Sequence, residues 1–196
     1  KKDNYIIKSL NGMAYGFFCS LIIGTIFKQI GNFANISQLA AWGEVATYLM
    51  GPAIGAGIAY AIDAKGLNLI AAVIAGTIGA GTFNGNTATT GNPIAAFVAV
   101  IIAVEVTRLV QGKTPVDILL VPFTSIIVAG IVTIFIGPYI TKLIVWIGDL
   151  INQGVNMQPF FMSIVVAVLM GMALTAPISS AAIGVMLGLN GLAAGA

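Results

Sequence analysis

Glu105 is the residue whose type and place pose the first chemical question. Within VAVIIAVEVTRLV it is a carboxylate on an otherwise apolar run, and an acid at the centre of a bilayer costs about 2.5–3.5 kcal/mol on insertion scales. An acid so placed faces a partner, a cavity or a solute path. Arg108 follows three residues later, which leaves two readings open. One is an i,i+3 ion pair near the membrane interface; the other is a carboxylate that accepts hydrogen bonds from a polar solute or couples protons.

A second group lies in LTAPISSAAI, residues 174–183. Pro177 has no N–H for the carbonyl four residues back and biases Ala176 away from helix, so the backbone is expected to open there. Open backbone at membrane depth is tolerated where protein or a watery cavity receives it. Thr175, Ser179 and Ser180 bring hydroxyls to that opening, and the next half-helix would present free N–H groups at the positive end of its dipole. Broken helices of this kind bind polar solutes in transporters; a Ser/Pro kink that only turns the chain would read the same way.

The third group is TFNGNTATTGNP, with Asn84, Asn86 and Asn92 among threonines and glycines and no charge. Neutral donors and acceptors suit sugar hydroxyls better than ions, although a plain extracellular loop has the same composition. Two Gly/Pro-interrupted segments in one chain strengthen the solute reading, because such pairs mark the binding region of repeat-built transporters.

The remaining inventory excludes most other chemistry. The chain has no histidine and one cysteine, Cys19, inside an apolar run. That removes the commonest metal ligand and proton shuttle, any phosphohistidine, any disulfide and any thiolate metal site. No cofactor motif and no paired nucleophile and base are present, so an enzyme is not expected. Eight basic and six acidic residues, +2 overall, form no cluster that would follow a nucleic-acid backbone.

The elements that position these residues belong to a bilayer. Hydrophobic residues make up 59% of the 196 and charged residues 7%, against about 25% charged in an ordinary soluble domain. Spans are expected at Leu10–Ile30, Val45–Ile62, Leu67–Phe83, Ile94–Val110, Ile118–Ile136 and Phe160–Leu174. Pro93 opens the fourth as a first-turn proline, and Gly137–Pro138 closes the fifth. Tyr139–Asn156 has an apolar stripe at helical spacing interleaved with Lys142, Asp149 and Asn152, which predicts an amphipathic helix. Gly12/Gly16, Gly51/Gly55 and Gly184/Gly188 form GxxxG pairs that predict close helix packing. The lysine and arginine distribution favours a cytoplasmic N-terminus: Lys1, Lys2, Lys8, Lys65, Arg108 and Lys113 then fall inside, and Lys28 and Lys142 outside.

Several strings, among them GPAIGAGIAYAI, GNPIAAF, GKTPVDILLVPF, QPFFMSIVVAVLMGMALTAPISSAAI and LNGLAAGA, resemble in the same order the EIIC-like membrane family of the bacterial phosphotransferase system. The likeness runs from about Ala14 to Ala196, in the branch that includes proteins labelled perfringolysin O regulator. It implies a multi-pass protein of the bacterial inner membrane that is homodimeric and takes a small polar, carbohydrate-like solute. It also implies a single EIIC-like domain over residues 1–196 that continues beyond Ala196. A complete phosphotransferase permease needs phosphohistidine and phosphocysteine or phosphohistidine domains, which this sequence lacks; phosphocarrier proteins of the EIIA and EIIB type would be separate partners. The glutamate-containing sugar motif of glucose-type EIIC proteins is also missing, since Glu105 has the chemistry but not that context.

The expectation is therefore an all-α, polytopic transmembrane bundle with Gly/Pro-broken helices. It would translocate a small polar solute by alternating access, with Asn84, Asn86, Asn92, Glu105, Thr175, Ser179 and Ser180 as substrate contacts and no metal or cofactor. The second reading is a membrane sensor that binds a ligand without transporting it.

Overall fold

The computed structural model describes residues 3–81, 83–84, 87–88, 91–113, 115–157, 160, 163–165 and 167–168. The described helices are α1 (Asp3–Phe17), α2 (Ile23–Phe33), α3 (Ser37–Tyr48), α4 (Met50–Ala61), α5 (Leu67–Ala80), α6 (Pro93–Val110), α7 (Asp117–Phe135) and α8 (Gly137–Met157). A π-helical turn, Phe18–Ile22, joins α1 to α2. The fold is all-α as expected, apart from a ladder of two residues per strand between α5 and α6, in which β1 (Phe83–Asn84) pairs antiparallel with β2 (Thr87–Ala88).

Among the described residues, three stretches are long and apolar enough to cross a membrane: Tyr5–Phe33, Pro93–Val110 and Asp117–Phe135. They contain the expected first and fourth spans and the fifth up to Phe135, and make this a multi-pass membrane protein. Pro93 stands at the start of α6 as expected, where its missing N–H would have had no helical partner. Pro122 lies inside α7.

Two expected spans take a different form. Val45–Ile62 is divided at Leu49 into the end of α3 and all of α4. Pro52 is the local cause, because it offers no N–H to the Tyr48 carbonyl and its ring crowds that oxygen. Leu67–Phe83 is shortened to the 14 residues of α5, about 21 Å of helix, because Gly81 turns to φ 68° and ends it.

By its internal contacts the chain divides into two compact units, Lys1–Gly137 and Pro138–Ala196. In the first, α1 packs on α4, α4 on α5, α5 on α6 and α7, and α6 on α7, while α2 packs on α3. In α5, Ala71, Ala72, Ala75, Gly76, Gly79 and Ala80 are buried. Its small residues let backbones touch. A Cβ on Gly76 would strike the carbonyl oxygen of Gly51, and one on Gly55 would strike that of Ala72. Gly12 and Gly16 meet the backbone of α4 at Gly57 and Ala53 in the same way. The first two GxxxG pairs therefore do what the sequence predicts; Gly184/Gly188 lies outside the described residues. In the second unit, the expected helix after Gly137–Pro138 is α8, 21 residues long, with Lys142 and Asp149 exposed.

Candidate functional site

One end of the first unit gathers a charged and polar cluster. Glu105 Oε1 accepts from Arg108 Nη1 at 2.8 Å and from the Tyr5 hydroxyl at 2.5 Å. Arg108 Nη2 also donates to the carbonyl oxygen of Ile62 at 2.5 Å. Ile62 is the C-cap of α4, so the guanidinium meets the negative end of that helix as well as a carboxylate. Three helices far apart in sequence, α1, α4 and α6, are thus tied through one arginine and one glutamate. Lys8 and Asp63 stand 3.9 Å apart beside this group, both exposed, where a pair contributes about 0–1 kcal/mol.

Asn68, in the first turn of α5, lies nearby in sequence and is 2% exposed. Its amide donates to the side-chain oxygen of Gln111 at the C-cap of α6, and its own Oδ1 is buried without a partner among the described residues. A lone buried acceptor costs about 1–3 kcal/mol, so this amide is an expensive choice for a helix interior.

The other end of α6 holds Asn92, whose side chain accepts from the backbone N–H groups of Ile94 and Ala95 at 3.0 and 3.1 Å. It is the N-cap of α6. Asn84 lies in β1 opposite Thr87. Asn92 and Glu105 are therefore not brought together, being about 20 Å apart along α6. Asn86, Thr175, Ser179 and Ser180 lie outside the described residues.

A third polar group, which sequence reasoning passed over, joins α2 to α3. Glu44 Oε1 accepts from Lys28 Nζ at 3.3 Å and from the Tyr48 hydroxyl at 3.0 Å. Those two bonds, the tyrosine first, hold the Glu44 carboxyl below the usual carboxylate range. The signal was present in LAAWGEVATYLM, where Glu44 and Tyr48 stand one helical turn apart and face a lysine of the preceding helix. Tyr5 gave no such signal, since its partner is 100 positions away.

Among the described residues no three His, Cys, Asp or Glu side chains gather as a metal site would require. Cys19 is free and exposed on the π turn. The arrangement offers hydrogen-bonding groups at both ends of α6 and charged groups at one, within a bundle whose backbones touch.

Residues 7–196 match the family described as phosphotransferase system, EIIC. No curated protein and no solved structure matches the chain. The family match covers nearly all of the sequence, takes in every helix after the first turn of α1, and agrees with a multi-pass helical bundle; the chain belongs to the phosphotransferase system EIIC family.

Proposed function

We propose that this chain is the membrane permease part of a phosphotransferase-type system and moves a small polar, sugar-like solute by alternating access. The observation that carries the reading is the family match over residues 7–196. Solute contacts are assigned to Asn84, Asn86, Asn92, Glu105, Thr175, Ser179 and Ser180, whose amides, hydroxyls and carboxylate would replace water around the solute. Glu105 can take that role through Oε2, while Oε1 keeps Tyr5 and Arg108.

The chain would act as one EIIC-type domain in a homodimer in the bacterial inner membrane, with its N-terminus in the cytoplasm. Lys8 and Arg108 then lie on the side where positive charge collects. These 196 residues hold no histidine, so phosphate would come from EIIA- and EIIB-type phosphocarriers that approach from that side.

Equilibrium binding of a panel of labelled sugars and polyols to the purified full chain tests the assignment. The expected result is saturable binding of one class, weakened at least tenfold by Ser179→Ala and by Glu105→Gln. Wild-type affinity in both variants would remove these residues from the site.

A further inference from the structure

The stretch from α1 to α4 is one long antiparallel hairpin with an irregularity in each leg. In the first leg the irregularity is the π turn Phe18–Ile22; in the second it is the break at Leu49. Close backbone contacts fix the register on either side. On the α1–α4 side, Gly12 meets Gly57 and Gly16 meets Ala53. On the α2–α3 side, Gly24 meets Gly43 and Thr47, and Gly31 meets Ala40. Carrying that register across the gap sets Ser20 opposite Leu49 and Met50. The two irregularities are therefore at the same height, and the π turn contacts both α3 and α4.

We propose that this facing pair is a hinge, about which the α2–α3 hairpin turns as a rigid arm against the body formed by α1, α4, α5, α6 and α7. The proposal supplies the moving part for the translocation cycle proposed above and in that respect rests on it.

Each half is stiff for a stated reason. In the arm, the backbones of α2 and α3 touch at Gly24 and Gly43, and Glu44 binds both Lys28 and Tyr48. In the body, α4 is wedged by glycines between α1 and α5, and Ile54 and Ile58 are fully buried. Only the joint between the halves lacks regular helix in both legs. The arm packs mainly on the π turn, and its contacts with α4 and the other helices of this unit are few.

The joint also carries the means to keep its backbone satisfied while it bends. Ser20 Oγ donates to the Gly16 carbonyl at 2.6 Å, Thr25 Oγ1 to that of Leu21 at 2.7 Å and Thr47 Oγ1 to that of Glu44 at 2.7 Å. Hydroxyls that back-bond in this way bend helices and take over carbonyls freed by irregular turns. π turns inside helices are found at functional sites, and sharp kinks are found at π turns and prolines. With Pro52 beside the second break, both causes are present at one height. α2 gives a lever of about 16 Å from Ile23 to Phe33, so a turn of about 20° moves its tip by about 5–6 Å.

Pulsed electron–electron resonance distances in lipid bilayers test the hinge, with Cys19→Ser removing the native thiol. Labels at exposed positions report three distances: Phe33→Cys with Ile134→Cys between arm and body, Ile30→Cys with Trp42→Cys inside the arm, and Tyr15→Cys with Tyr60→Cys inside the body. The expected result is one narrow distance within the arm and within the body, and an arm-to-body distribution that is split or clearly broader than either. Pro52→Ala, which restores the α4 N–H, is expected to narrow that arm-to-body distribution. A single arm-to-body distance as narrow as the two internal ones overturns the hinge. Uptake by the same labelled protein keeps the two readings apart: a mobile arm without uptake would refute transport and leave the hinge, and uptake with a fixed arm would refute the hinge and leave transport.

Discussion

Arg108 serves two acceptors with one guanidinium, the Glu105 carboxylate and the Ile62 carbonyl, and its replacement separates these roles. Arg108→Ala is expected to cost about 1 kcal/mol, because the pair is partly exposed and solvent screens it, while the α4 end loses its cation. Glu105→Gln still accepts from Tyr5 and Arg108 and is expected to cost less than about 1 kcal/mol. Thermal unfolding of the purified variants in detergent measures both, and an Arg108→Ala protein as stable as wild type would show that the tie is idle. The Glu105–Arg108 pair was legible because three residues on a helix make one face. The Tyr5 and Ile62 partners were not, since they arrive through the packing of α1 and α4 on α6, which no local spacing encodes. Asn92 could equally have been read as a cap, standing directly before Pro93 and an apolar run.

At the scale of elements, the glycines set how near the helices stand. Gly57→Val would drive its Cβ into the Gly12 backbone, and a clash with backbone cannot be relieved by a rotamer change. It is expected to cost about 1–3 kcal/mol or more, read as a lower unfolding temperature; Gly130→Ala, where a Cβ meets nothing within 4 Å, is the control expected to be near neutral. Glu44 adds a pH dependence to the α2–α3 pairing. Its carboxyl titrates below the usual range, so the bond network is fully present above the ordinary carboxylate pKa and is lost as pH falls through the lowered value. The distance between labels at Ile30 and Trp42 is expected to broaden only in that acidic window, and Glu44→Gln should abolish the change. Helix ends written in local chemistry, Pro93 and Gly137–Pro138, were legible. The break at Leu49 was hidden by an unbroken apolar run, although Pro52 marks it, and the π turn has no local code because its five residues read as ordinary helix.

For the whole molecule, composition alone gave the solvent and the helical class, because 59% apolar residues leave few other ways to satisfy the backbone. α7 agrees, with Ile118, Leu119, Phe123, Ile134 and Phe135 all exposed where lipid tails can cover them. Family membership was legible in strings that no single helix accounts for, and it spans residues 7–196. The chemistry of phosphate transfer was legible only as a gap, in the missing histidines. The central claim, a permease that depends on phosphocarriers, is tested most directly by uptake of the labelled sugar and polyol panel into vesicles containing the full-length protein, with and without phosphoenolpyruvate and the soluble phosphocarriers. The account predicts uptake of one solute class that requires phosphoenolpyruvate and delivers the phosphorylated product inside; saturable binding without uptake under either condition would contradict it and make the protein a sensor.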